Sequence, residues 1–296
     1  MDQGPLVSVI MPTYKRADMI CRAVESVLNQ TYPHVEVVIA NDNPQESPER
    51  ESTDSKLEQY VKTGRVRIVH TSGRTGGGAA RNYAEKYALG QYLAFLDDDD
   101  EYLPDKIEKE LEFILSNDLD MAFQDVSTYK PDGTLVEYRR LNHVKDFSKE
   151  GLLRAHVIVP LCPTSVYMLK KELFDCTRGF GETITAQDWH LMRRCIEVGA
   201  KIGYMPGSYV KQYLHSGERV SLGKGKIRGE NDLYEWKKKY FSFLNSKERR
   251  YVSFYHFSVL GIACLRSKMY LRAIVYLIRA SIVSPSSCYR EVRKRL

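Results

Sequence analysis

Short apolar runs alternate along the first third of the chain with segments whose apolar positions recur every three or four residues. The runs at residues 7–11, 35–40, 66–70 and 92–96 read as strands, and the last, a short apolar run bounded by punctuation, suits a sheet interior. Between them, Ile20, Val24, Val27 and Leu28 share one helical face and predict a helix over residues 18–30 with Asp18 as its N-cap. A looser helical stretch covers residues 52–62. Another covers 79–88, with Gly90 placed to end it in a left-handed cap. Pro104 and Asp105 open a further helix whose apolar face is Ile107, Leu111, Ile114 and Leu115.

Strands and helices alternating at this spacing imply βαβ units and a parallel sheet, in which ligands bind at the carboxyl ends of the strands. Three polar strand ends then share one edge: Pro12-Thr13-Tyr14, Asp42, and Asp97 to Asp100. Beyond residue 118 the pattern is mixed. Strands are expected at 121–124, 165–169, 202–205 and 209–213, a turn at Gly179-Phe180-Gly181-Glu182, and a helix at 188–198 with Trp189, Met192, Cys195 and Ile196 inward. Two apolar, helix-length stretches follow at 251–265 and 269–284, with Pro285 ending the second. The expected division is a catalytic domain over 1–222 and a helical region over 223–296.

The chemistry concentrates at residues 92–100, where an apolar run enters four consecutive carboxylates. Ionised carboxylates lose several kcal/mol each on leaving water, and like charges repel, so a hard cation would relieve both costs. The plain alternative is a solvated acidic turn. Upstream, Ser72-Gly73-Arg74-Thr75-Gly76-Gly77-Gly78 opens a helix and offers free N–H groups to an anion. It lacks the Gly-Lys-Ser/Thr of a Walker A loop and does not fit GxGxxG, which argues against NAD. A carboxylate cluster beside such a loop reads as a site for a nucleoside diphosphate with its metal. An EF-hand reading of Asp97, Asp99, Glu101 and Glu108 fails, because Tyr102 stands where the loop needs glycine.

Composition adds little: 43% of the 296 residues are hydrophobic, 28% are charged and the net charge is +6, ordinary globular values. The six cysteines are scattered without a CxxC pair, which suits reduced thiols better than a disulfide framework or a zinc site. No signal peptide is expected, and no run approaches the ~20 apolar residues of a membrane span. The basic excess at Lys237-Lys238-Lys239, Arg249-Arg250 and Arg290 to Arg295 suits an anionic surface or a solvated tail.

Taken together, the chain resembles the family-2 glycosyltransferases, over about residues 5–220. The resemblance rests on Val7-Ser8-Val9-Ile10-Met11-Pro12-Thr13-Tyr14, Ser26-Val27-Leu28-Asn29-Gln30-Thr31-Tyr32, Gly78-Ala79-Ala80-Arg81-Asn82, Leu96-Asp97-Asp98-Asp99-Asp100 and Gln187-Asp188-Trp189, in the family's order. It implies a GT-A fold: an α/β, Rossmann-like, mostly parallel central sheet flanked by helices, here with a C-terminal helical appendage. It also implies a nucleotide site at Pro12, Thr13, Tyr14 and Asp42, with Asp42 favouring uracil. Arg81 would lie on the nucleotide side of the glycine loop. Asp97 would reach the ribose, and Asp99 would bind Mn2+ or Mg2+ across the diphosphate. Asp98 and Asp100 would each be a donor contact or a helix N-cap. His215 matches a position that completes the metal or diphosphate site, and Asp188 matches the catalytic base, with Glu182 the next candidate.

Two departures stand out: Gln187 replaces the usual Glu before the base, and Asn41-Asp42-Asn43-Pro44 replaces Asp-Asp-Gly-Ser. The Gln-x-x-Arg-Trp signature of processive synthases is absent, so the resemblance implies inverting transfer of a single hexosyl or N-acetylhexosaminyl group. The donor would be a nucleotide-sugar, a UDP-sugar by Asp42. The acceptor would be a saccharide or lipid-linked saccharide of surface polysaccharide, and no nucleic acid is expected. A sugar-nucleotidyltransferase or an inactive GT-A scaffold are the alternatives; the first lacks its glycine- and arginine-rich N-terminal loop, and intact Asp97, Asp99 and Asp188 argue against the second. The chain is expected in the cytoplasm, with the last two helices packing their apolar faces inward and resting a basic rim on the inner membrane leaflet.

Overall fold

The computed structural model describes residues 4–161, 163–181, 186–214 and 223–293. Cys162, Glu182, His215, Lys294 and Arg295 lie outside the described residues. The strands are β1 (Val7–Thr13), β2 (Val35–Asn41), β3 (Val66–His70), β4 (Tyr92–Phe95), β5 (Glu101–Tyr102), β6 (Met121–Gln124), β7 (Val126–Tyr129), β8 (Leu135–Arg139), β9 (Tyr167–Lys170), β10 (Ile202–Met205) and β11 (Val210–Tyr213). The helices are α1 (Ile20–Leu28), α2 (Pro48–Val61), α3 (Gly77–Glu85), α4 (Lys106–Ser116), α5 (Lys149–Ile158), α6 (Lys171–Cys176), α7 (Gln187–Glu197), α8 (Gly223–Lys238), α9 (Ser246–Arg266), α10 (Tyr270–Val283) and α11 (Pro285–Arg293).

The chain forms two compact units. The first holds everything up to Phe147 together with the segments that begin at Leu161 and at Gln187 and run through β11. Among the described residues its main sheet runs in the order β10-β6-β9-β4-β1-β2-β3. β1 pairs in parallel with β2 and β4, β2 with β3, and β6 with β10, while β9 runs antiparallel between β4 and β6. The expected mostly parallel α/β architecture is therefore present. Val9, Ile10, Val37, Val38, Leu93 and Ala94 have no exposure, as continuous apolar runs require in a sheet covered on both faces. A smaller sheet, β5-β11-β7-β8, follows the end of β4.

Local chemistry accounts for the helix starts. Ser47 caps α2 by accepting from the Arg50 N–H, with Pro48 at the first helical position and Glu49 and Glu51 in the first turn. α1 buries Ile20, Ala23, Val24 and Val27 as its periodicity predicts, but its N-cap is Met19 and not Asp18. The Asp18 carboxylate faces outward and pairs with Lys56. Gly90 is not the left-handed cap of α3 either. A side chain there would meet the Ser8 hydroxyl at 2.6 Å and the Leu6 carbonyl at 2.7 Å, so glycine is needed for close approach to β1.

α4 carries a fully buried ion pair, Lys106 Nζ to Glu110 Oε2 at 2.6 Å, with the ammonium 4.4 Å from the centre of the Tyr102 ring. Removing one partner strands a charge in the core. Glu110→Gln is expected to lower stability by about 3–5 kcal/mol, whereas Lys106→Met combined with Glu110→Leu should be close to neutral. Urea unfolding of the three chains measures this, and a double variant as unstable as the single one would contradict it.

The second unit contains α5 and α8 to α11. Asn245 and Glu248 form a reciprocal capping box at the start of α9, and Glu248 also pairs with Arg154 of α5 at 2.5 Å. α9 and α10 meet along small residues: Ala273 and Ala280 are buried, and a side chain at Gly261 would lie 2.7 Å from Leu277 Cδ2. The expected hairpin is present, but the face it buries is only in part the expected one. Leu277 lies over Gly261 as expected, but Ile274 and Ile278 are exposed. Pro285 ends α10 as expected and also opens α11.

Candidate functional site

β1 and β4 are parallel neighbours, so the segments leaving their carboxyl ends emerge side by side. Pro12 and Tyr14 are half-buried, Thr13 is buried, and Lys15 Nζ lies 5.5 Å from the centre of the Tyr14 ring. The next residues of the two segments meet directly. Arg16 Nη1 reaches Asp98 Oδ1 at 2.9 Å and Asp99 Oδ2 at 2.8 Å. Arg22, on α1, donates to the Asp99 carbonyl at 2.6 Å and stacks over Tyr213 at 4.1 Å. Neither arginine was singled out from sequence. The available signal was a basic residue just past one strand end, with four carboxylates just past its parallel neighbour.

The four aspartates divide into two roles. Oxygens of Asp97, Asp99 and Asp100 all lie within 4.8 Å of one another. Asp98 is turned instead to Arg16. Asp98 and Asp100 are not helix N-caps, because β5 intervenes and α4 starts only at Lys106. Tyr213 donates its N–H to Asp100 Oδ1 at 3.1 Å and its hydroxyl to Glu101 at 2.8 Å, so β11 holds this turn in place. His215, two residues further, is among the residues not described.

Burial raises the Asp98 carboxyl to about 7 against the pull of Arg16. Burial, then the charges of Asp97 and Asp99, pushes Asp100 well above the usual carboxylate range. Asp97, Asp99 and Asp100 are hard oxygen donors drawn together, and the set fits a divalent cation such as Mg2+ or Mn2+. Because Asp98 titrates higher folded than unfolded, its contribution to stability is full below about pH 4 and is lost as pH rises through about 7, and the raised Asp100 acts in the same direction. Without metal, the melting temperature should therefore fall from about pH 5 to 8, and fall less in Asp100→Asn. Mn2+ should raise it by several degrees at about pH 8 and little at about pH 5, since the ion competes with protons. Equal rises at both pH values would contradict this reading.

The second arm of the site is the glycine-rich loop. Asp42, almost fully buried at the end of β2, grips it from below. Oδ1 accepts from the Thr75 N–H at 3.0 Å and from the hydroxyls of Thr75 and Thr71, and Oδ2 accepts from the Gly76 N–H at 3.0 Å. Each carboxylate oxygen has about two lone-pair directions, and Oδ2 accepts only one of these four bonds, which leaves it one direction for a further donor. Arg50 ties β2 to the same loop by donating to the carbonyls of Asn43 and Thr71. The loop feeds α3, whose Arg81 is buried, pairs with Asp97 and lies 5.5 Å from the Phe180 ring.

α3 also meets the helix that carries Asp188. A side chain at Gly78 would lie 2.8–2.9 Å from the Gln187 amide, so glycine there lets the start of α7 close onto the start of α3. Asp188 is half-buried in the first turn of α7, and its Oδ1 accepts from the Trp189 N–H at 2.8 Å. The contacts thus run from Asp97 through Arg81 and α3 to Gln187, with Asp188 adjoining. Gln187, a departure from the expected Glu, is the residue in contact with the loop.

The chain matches the family model described as "Glycosyl transferase family 2" over residues 8–178. It is similar to the hyaluronan synthase of Pasteurella multocida, with 32% identity over 265 residues, 87% of this chain and 24% of that protein. The chain spans 51%, 24% and 65% of the length of three curated relatives that it matches. Among solved structures it is similar to S. aureus TarS residues 1–349 in complex with UDP-GlcNAc, with TM-score 0.63 and 19% identity, covering 97% of this chain and 92% of that one. The mannosyltransferase PcManGT of Pyrobaculum calidifontis, in complex with GDP-Man and Mn2+, gives TM-score 0.63 and 17% identity, covering 96% and 88%. The fold shared with these structures is GT-A.

Proposed function

The chain belongs to glycosyl transferase family 2, and from that premise we propose that it moves a single sugar from a nucleotide-sugar to a saccharide hydroxyl. The observation that carries the proposal is the pairing of two features on one sheet edge. Asp97, Asp99 and Asp100 converge after β4, and Asp42 holds the glycine loop at the start of α3 beside them. The donor is a UDP-sugar, its base over Tyr14 and Thr13 and its ring N–H directed to the free lone pair of Asp42 Oδ2. The transferred group is a hexosyl or N-acetylhexosaminyl unit. Arg81 orients Asp97 toward the ribose.

Asp99, with His215 and the neighbouring Asp100, would hold Mn2+ or Mg2+ beside Asp97. Bound there, the ion supplies positive charge for the diphosphate as it departs. The acceptor oxygen bonds to the anomeric carbon as the bond to the diphosphate oxygen breaks. Asp188 takes the hydroxyl proton, and the nucleoside diphosphate leaves with the bonding electrons. One displacement from the opposite face inverts the anomeric configuration. The acceptor is a saccharide or lipid-linked saccharide of a surface polysaccharide, and transfer takes place in the cytoplasm.

The test is calorimetric binding and hydrolysis across a panel of UDP- and GDP-sugars, with Mn2+ and with chelator. Metal-dependent binding of one UDP-sugar is the expected result. Metal-independent binding, or none across the panel, would overturn the proposal.

A further inference from the structure

The outer face of α10 is a row of large, exposed aliphatic side chains. Leu271, Ile274, Val275, Ile278 and Ile282 fall at helical spacings of three and four, and Leu271 and Ile282 are 83% and 72% exposed. The opposite face, Ala273 and Ala280, is the one packed against α9. Isolated apolar residues on a surface need no explanation, but a continuous row along a whole helix marks a place of contact.

The charges around this row indicate the partner. Arg272 and Arg279 are exposed along one border of it, with Arg266 and Lys268 before the helix and Arg290 and Arg293 on α11. From Tyr251 to the C-terminus the chain carries eight Lys or Arg and one Asp or Glu, whereas the rest carries 36 against 37. The whole positive excess of the chain thus lies in this segment. A second copy docked face to face would set arginine against arginine, so the charges disfavour self-association. No helix among the described residues is long and apolar enough to cross a membrane. A helix of this length with an apolar row and a basic border suits the plane of an interface.

We propose that α10 lies in the surface of an anionic lipid layer. The five aliphatic side chains enter the boundary between headgroups and acyl chains, and Arg272 and Arg279 meet the lipid phosphates. This goes beyond the donor chemistry proposed above and draws on none of its residues, so the two can fail separately.

The test is co-sedimentation of the full chain with vesicles of phosphatidylcholine alone or mixed with phosphatidylglycerol, at low and high salt. Binding to the anionic vesicles that weakens with salt is expected. Ile278→Asp should weaken it by about tenfold or more. Arg272→Glu with Arg279→Glu should weaken it at least about 25-fold, at roughly fivefold per charge removed. Unchanged circular-dichroism melts would show that these surface variants fold, and UDP-sugar binding on the same samples reads the other proposal. Equal binding to neutral and anionic vesicles, no binding to either at low salt, or unchanged binding by Ile278→Asp would each overturn the inference. So would a dimer in light scattering that Ile278→Asp dissociates, which would assign the face to a second copy.

Discussion

Asp188→Asn is expected to bind the donor nearly as the parent chain does and to lose roughly 10^2- to 10^4-fold in kcat. The substitution is close to isosteric. An amide oxygen can still accept from the Trp189 N–H, as the carboxylate does at 2.8 Å, so α7 should keep its first turn. What disappears is a basic oxygen able to hold the acceptor's proton. A proton acceptor is used only in the reacting complex, so the loss belongs in kcat, with the donor dissociation constant little changed. Single-turnover measurement with the true acceptor reads this directly. A near-normal rate would move the base elsewhere, with Glu182 the next carboxylate to test.

Asp99→Ala is expected to abolish transfer and to weaken metal-dependent nucleotide binding by more than about 100-fold, since even partners outside a metal's own ligands contribute 10- to 100-fold. The fold should survive. Arg16 keeps Asp98 as a partner, and removing one of three crowded carboxylates relieves repulsion. The variant should therefore melt no lower than the parent in chelator and gain less from Mn2+. Calorimetry of UDP with and without Mn2+ decides the matter. A variant with normal metal-dependent UDP binding would show that Asp99 is not a ligand.

Much of the fold was legible because it rests on features that lie on one stretch of chain. β1, β2 and β4 are each largely apolar and almost wholly buried, the pattern that burial on both faces requires, whereas β3, at the sheet edge, leaves Arg67 and His70 exposed. β5 and β8 left no comparable mark: β5 has two residues and β8 is exposed throughout. At the site, the candidate aspartates stood out by type and spacing, but their division of labour depends on distant residues. Asp98 differs from Asp100 because Arg16 faces one and Tyr213 the other. Asp42 was expected to wait for a base, and its carboxylate also holds the loop through Thr71, Thr75 and Gly76, bonds that local sequence cannot reveal.

The C-terminal hairpin failed for a different reason. Large aliphatic side chains are ordinarily assigned to the packed face. Here Gly261, Ala273 and Ala280 make the packed seam, since small residues let two helices approach closely. The helical period was right, and the inward direction was reversed for Ile274 and Ile278.

The antiparallel β9 also constrains the order in which the chain can fold during synthesis. β1 to β4 leave the ribosome in sequence and can pair as they emerge. β6 follows them, yet its hydrogen-bonding route to β4 runs through β9. Until Tyr167–Lys170 has been made, the growing chain therefore exposes an open edge on β4 and an unpaired apolar β6. Open edges of this kind recruit other chains, and interrupted synthesis just before β9 would leave the fragment most prone to aggregate. For the same reason, an expression fragment meant to isolate the nucleotide half of the sheet should either stop after β4 with its edge blunted by charge or continue past β9.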